Sequence, residues 1–158
     1  MDEKLSNTII RREDPGQADV VPLLEAGERN SAELYPAESN HHLPLAALRA
    51  PEVRFFVARD AAHRRPLATG AVVLHEEWAE IKRMWVVPEA RGRGLSKSVL
   101  ARLLVEARSH GASVARLETG VASHAALALY KRAGFAEREP FADYRPDPLS
   151  VFMEKQLA

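Results

Sequence analysis

Residues 80–96 read EIKRMWVVPEARGRGLS, and they constrain this chain more than any other stretch. An apolar run from Met84 to Val87 stops at Pro88. A short turn carrying Arg91, Gly92, Arg93 and Gly94 follows, and an amphipathic pattern begins at Leu95. Two glycines between a strand end and a helix start let backbone N–H groups converge on one spot. That spot is also the positive end of a helix dipole, which suits a phosphate or pyrophosphate. The chain must therefore fold so that a strand, a glycine turn and a helix meet end to end.

The remaining periodicities set the neighbours of this unit. Residues 8–12 read as a first strand ended by Asp14-Pro15-Gly16, and residues 18–30 carry the apolar spacing of a helix. Residues 34–48 hold two prolines and many hydrogen-bonding side chains, which predicts a loop with a short helix at 45–48. Residues 53–59, 66–77 and 79–87 are β-rich and separated by turns, predicting an antiparallel meander. Leu95, Val99, Leu100, Leu103, Leu104 and Ala107 share one helical face, with Gly111 as the terminator. A strand at 113–119, a helix at 123–133 capped by Ser123 and stopped by Gly134, a short strand at 135–139 and a last strand at 150–155 complete the order. This succession predicts an α/β (α+β) architecture with helices packed on a mixed sheet.

Composition narrows the function classes. The chain has 158 residues, enough for one domain with its own core. Its 22 basic and 22 acidic residues balance, so no global field draws it to nucleic acid or an anionic membrane. It contains no cysteine, which removes disulfides, thiolate metal ligands and a Cys nucleophile. His41-His42 lacks companion ligands at metal-binding spacing, so no metal is expected. The first fourteen residues lack an apolar signal core and no run approaches a membrane span, so a cytoplasmic location is expected.

The glycine turn admits three readings. A Walker-type loop needs Gly-x-x-x-x-Gly-Lys-Ser/Thr, which is absent. A dinucleotide turn needs Gly-x-Gly-x-x-Gly early in a βαβ unit, and Gly92-Arg93-Gly94-Leu95-Ser96-Lys97 lacks the third glycine and follows a meander. The third reading joins Arg91-Gly92-Arg93-Gly94 to Leu129-Tyr130-Lys131-Arg132-Ala133-Gly134-Phe135 further on. Together, and in this order, the two motifs resemble the GCN5-related N-acetyltransferase (GNAT) family, as a small bacterial-type member. The likeness covers residues 53–157 well and the first fifty weakly. It departs from the common pattern at Ser96 and Ser123, where many members have Gly or Ala, and Asn.

The resemblance implies the GNAT acyl-CoA N-acyltransferase fold over residues 1–158, with a mostly antiparallel mixed sheet. It implies acetyl-CoA as co-substrate. Met84, Trp85 and Val86 would lie along the pantetheine arm. Arg91, Gly92, Arg93, Gly94, Leu95 and Ser96 would take the pyrophosphate, with Ser123 and Tyr130 completing the cofactor contacts. It also implies acetyl transfer to a primary amine of a small, possibly amino-acid-like, molecule, directly within a ternary complex. The alternatives are a non-catalytic acetyl-CoA sensor and acetylation of a protein amine; a homodimer is left open.

The chemistry needs a base, because an amine of pKa about 10.4 is only about one part in a thousand neutral near pH 7.4, a cost of about 4 kcal/mol. Glu80 matches the glutamate base of some members, and could equally be a strand-edge carboxylate paired with Lys82 or Arg83. The leaving thiolate needs a proton donor, and Tyr130 matches the family tyrosine beside the coenzyme sulfur. A backbone N–H near Met84 or Val86 would hold the developing oxyanion. Acceptor contacts are expected from the polar segment holding Tyr35, Glu38, Ser39 and His41, and from Arg83 and Tyr144. Arg83, Arg145 and the histidines would suit a carboxylate, and Glu38 and Asp143 an ammonium group.

Overall fold

The structure, a computed structural model, describes residues 7–157. Residues 1–6 and 158, which the sequence reading assigns to the same domain, lie outside the described residues. The strands are β1 (Thr8–Arg12), β2 (Val53–Asp60), β3 (Pro66–Leu74), β4 (Trp78–Val86), β5 (Val114–Gly120), β6 (Ala136–Arg138) and β7 (Ser150–Gln156). The helices are α1 (Val21–Leu34), α2 (Leu45–Leu48), α3 (Leu95–Ser109) and α4 (His124–Arg132).

Among the described residues, seven strands form one sheet in the order β1-β2-β3-β4-β5-β7-β6. The meander over β2, β3 and β4 is antiparallel as expected, and only β4 and β5 run parallel. The first helix departs from its expected span of 18–30. It starts at Val21, with Pro22 in its first turn, and runs on to Leu34. Proline needs no N–H partner there and its φ is already helical, so it marks the start. Of the expected 34–48 loop only Leu34 is therefore in this helix, and a single 3₁₀ turn, Ala37–Ser39, follows.

Two apolar layers sandwich the sheet. Beneath α3, the residues Val99, Leu100, Leu103 and Ala107 pack on Phe56, Val72 and Ile81. On the opposite face Val20 and Leu24 meet Phe55, Val57, Ala71 and Leu48. Alternation along each strand sends successive side chains to these two layers.

Two irregularities open the sheet at its centre. First, β4 and β5 pair only at Trp78–Val114, Ala79–Ala115 and Glu80–Arg116. Beyond Glu80 the two strands diverge, while β5 stays paired with β7 through Gly120. Second, the β3–β4 register shifts between Thr69 and Ala71, so β4 carries one extra residue there. Arg83 occupies the bulge at φ +60°, left-handed for a non-glycine residue. Opposite it, a Cβ on Gly70 would sit 2.7 Å from Val99 and 2.9 Å from the Met84 sulfur, so only glycine lets α3 pack this close.

Candidate active site

The divergence of β4 from β5 leaves a groove of about 1150 Å³. One bank is β4 from Glu80 to Val86, and the other is the end of β5 with α4. The glycine turn and the start of α3 close one end; α1 and residues 39–42 wall the other.

The cofactor end is built largely from backbone. Gly92 and Gly94 hold φ +82° and +77°, conformations that glycine adopts at little cost. Gly94 is the N-cap of α3, and no side chain caps that terminus. The first-turn N–H groups are therefore free to meet an anion, at the positive end of the helix dipole. Arg91, Gly92, Gly94, Leu95 and Ser96 all line the groove here, joined by Lys97, which sequence reasoning did not single out. Arg93 is not part of the wall. Arg91 donates from Nε to the Val86 carbonyl at 3.2 Å, and its guanidinium lies 5.0 Å from the Trp85 ring. Met84, Trp85 and Val86 form the β4 bank, unpaired on the β5 side. An unpaired strand edge leading to a ring of free amides fits a pantetheine arm and its pyrophosphate.

Tyr130 reaches the groove from α4 and is only 6% exposed. Its ring meets Phe135 edge-on at 5.8 Å, and its hydroxyl has no hydrogen-bond partner among the described residues. Burial, helped by the Glu118 charge, pushes its phenol well above the usual tyrosine range. The hydroxyl therefore remains protonated at neutral pH, as a proton donor must.

Glu80 sits where the two strands part, with 8% exposure. Its Oε2 accepts from the Tyr144 hydroxyl at 2.5 Å and lies 3.4 Å from Lys82 Nζ. Lys82 in turn donates to the Tyr144 oxygen at 2.9 Å, closing a triangle. Burial and the Glu80 charge push the Tyr144 phenol up, so it stays a donor. A second carboxylate, Glu118, lines the same groove two residues beyond the Glu80–Arg116 pair. Burial raises its proton affinity. Sequence reasoning missed Glu118. A signal was available, because period-two alternation from Arg116 places it on the face of Glu80.

The acceptor residues are placed unevenly. Tyr35, Ser39, His41 and Arg83 line the groove. Glu38, Asp143 and Arg145 are exposed and outside its wall, so the expected salt links from them do not form there. Tyr144 stands behind Glu80, outside the wall, with its ring 5.1 Å from that of His41. Tyr35 and Ser123, expected at opposite ends of the site, are hydrogen-bonded at 2.8 Å, and the Ala122 N–H donates to the Tyr35 oxygen at 3.0 Å. Ser123 is the N-cap of α4, as expected, but its hydroxyl turns to Tyr35 and makes no cap bond. Ser39, buried, donates to Asp147 at 2.6 Å. No trio of His, Asp or Glu among the described residues is arranged to hold a metal ion. No helix of the described residues is long and apolar enough to cross a membrane.

Comparison with known proteins agrees with this geometry. The sequence profile of the acetyltransferase (GNAT) family matches residues 20–135. The chain is 46% identical over 155 residues to an IAA acetyltransferase of Azospirillum brasilense, covering 97% of this chain and all of that one. A crystal structure from Klebsiella pneumoniae subsp. pneumoniae, assigned as an acyl-CoA N-acyltransferase, superposes with a TM-score of 0.80 at 36% identity, over 96% of this chain and 98% of that one. The PaiA N-acetyltransferase of Thermoplasma acidophilum, solved with coenzyme A, shares the fold at a TM-score of 0.73 and 15% identity, over 94% and 98% of the two chains.

The chain thus belongs to the GNAT acetyltransferases, a family whose fold binds acetyl-CoA or coenzyme A. It is an acetyl-CoA-dependent acetyltransferase with a seven-stranded mixed, mostly antiparallel sheet.

Proposed function

We propose that this enzyme acetylates the primary amine of a small, amino-acid-like molecule by direct transfer, with both substrates in the groove at once. The observation that carries this reading is that the free Tyr130 phenol, the buried Glu80 carboxylate and the partly buried Glu118 carboxylate line one groove at the β4–β5 divergence. The bound coenzyme supplies the activated acetyl group. The chain supplies the rest. The glycine turn and α3 terminus fix the pyrophosphate, and Met84, Trp85 and Val86 align the pantetheine arm. Tyr130 gives its proton to the departing sulfur. A backbone N–H near Met84 steadies charge on the carbonyl oxygen.

Glu80 is the proposed base, since it stands where the strands part and its second oxygen is free of the Tyr144 bond. One observation favours a second reading. Burial raises the proton affinity of Glu118, which suits a group that must take a proton near neutral pH. The domain spans residues 1–158 in this proposal, and the acceptor is a free molecule rather than a nucleic acid or membrane component.

Release of free coenzyme A from acetyl-CoA, measured against amino acids, polyamines, aminoglycosides and lysine peptides, tests the proposal. Release with amino acids above the peptides supports it; tight acetyl-CoA binding without release from any amine would refute it. Glu80→Gln and Glu118→Gln separate the two bases, because loss of the true base lowers kcat about a hundredfold and removes the acidic limb of the pH profile. Glu118 also carries a linked stability change. Its folded proton affinity is raised, so stability falls as pH rises through the ordinary carboxylate range, and the deficit is complete above the folded value. Glu118→Gln therefore melts at a higher temperature than the parent at pH 7, by thermal unfolding.

A further inference from the structure

The bulge in β4 does something a regular strand cannot: it puts two consecutive cations on one face. Lys82 lies opposite Ala71, on the α1 side of the sheet. The next residue would normally point the other way. Arg83, held at φ +60°, instead sends its guanidinium to the same side, where Nη2 donates to Glu28 of α1 at 3.1 Å. After the bulge the alternation resumes, with Met84 toward Gly70 and α3, and Trp85 toward Gly27 of α1. A left-handed arginine at the mouth of a catalytic groove is a local strain that the fold retains.

The Arg83 side chain is 5% exposed, yet it lines the groove and has one acidic partner, a Glu28 whose own side chain is 45% exposed. A guanidinium offers five N–H donors. Nε and Nη1 have no partner among the described residues, and neither is among the polar atoms sealed from solvent. Lys82 adds a second, largely enclosed cation, an ammonium 12% exposed, whose bonds to Tyr144 and Glu80 use two of its three donors. His42, held below the usual histidine range by burial and by the Arg83 charge, contributes no competing cation at neutral pH. Glu118 lies on the same face as Lys82 and Arg83, suited to the opposite charge.

We infer that Arg83 is the specificity-determining residue for the acceptor, and that it reads a carboxylate. The substrate class is an amino acid with a free carboxylate, oriented with its acid group on Arg83 and its amine between the two carboxylates, Glu80 and Glu118, and the thioester. Glu28 is a placeholder for that carboxylate in the free enzyme and competes with it. This inference rests on the acetylation of a small amine proposed above.

The test compares L-amino acids with their primary amides, at matched concentrations of neutral amine, in the parent enzyme and two variants. The expected result is a kcat/KM about tenfold to a hundredfold higher for the acids, because a charge-assisted pair is lost with the amides. Arg83→Met should bring acids and amides to the same kcat/KM. Glu28→Gln changes only a half-exposed side chain and removes the competitor, so the KM for acids should fall and that for amides should stay. Amides used as well as acids, a preference that survives Arg83→Met, or a KM for acids that rises in Glu28→Gln would each overturn the inference and leave amine acetylation standing. Acetyl-CoA binding without coenzyme A release from any acid or amide would overturn both.

Discussion

The two ends of the groove are made in different ways. The end proposed for the cofactor comes from one continuous stretch, β4 through α3, and offers backbone amides and glycine conformations. The acceptor end is assembled from distant side chains: Tyr35 with Ser123 at 2.8 Å, Ser39 with Asp147 at 2.6 Å, and Tyr144 with Glu80 at 2.5 Å. The first end presents features common to any peptide chain. The second presents a constellation particular to this one. Recognition of a constant cofactor can therefore be built locally, whereas recognition of the acceptor depends on how the whole sheet brings its loops together.

Substitutions at the boundary and at each end should separate the two. Tyr130, the proposed proton donor, lines the groove that both halves share, so Tyr130→Phe should show the largest effect. Its kcat should fall about a hundredfold or more, with acetyl-CoA affinity nearly unchanged by calorimetry. A loss of binding equal to the loss of rate would place Tyr130 in the cofactor end alone.

Gly94→Ala addresses the backbone end only. A side chain at φ +77° costs about 1–2 kcal/mol, so acetyl-CoA Kd should rise about tenfold while acceptor KM stays constant.

Tyr35→Phe should blur the division. The hydroxyl ties the end of α1 to the turn before α4, and it also covers Gly120, where a Cβ would come within 1.9 Å of the Tyr35 oxygen. Each lost bond is worth about 1 kcal/mol, so KM for both substrates should rise about fivefold. An effect on the acceptor alone would restore a clean division.

Ser39→Ala should have the smallest effect, about a threefold rise in acceptor KM. Its pH dependence is informative. The Ser39 hydroxyl, then the Leu149 N–H, hold the Asp147 carboxyl below the usual range. The clamp is thus present above the unfolded value and lost only as pH falls through the depressed folded one. The parent's acceptor KM should be flat across neutral and mildly acidic pH, and the variant's should differ from it most in that window.

Residue patterns made much of this legible in advance. The meander, the Leu95 helix face and the Gly111 terminator all follow from periods of two and 3.6 and from glycine chemistry. Glu80 and Tyr130 stand out in the sequence because each lies next to a recognisable local motif, and both line the groove. Arg83 was placed at the acceptor, but the reason it reaches there, a one-residue bulge, leaves no period in the sequence. Asp143 and Arg145 were expected in the wall because they flank Tyr144, yet the turn sends them to solvent and buries only the ring between them.

The sequence alone determined the class of protein, through a strand, a glycine turn and a helix whose contacts are close in the chain. Only the tertiary structure decided who faces whom across the groove. It paired Tyr35 with Ser123, 88 positions apart, and Ser39 with Asp147, 108 apart. It also brought Glu118 beside Glu80, from neighbouring strands on either side of α3. The reason is physical. Local conformation follows from steric and hydrogen-bonding limits on adjacent residues, whereas a charge acquires its partner and its proton affinity only when packing removes the water around it.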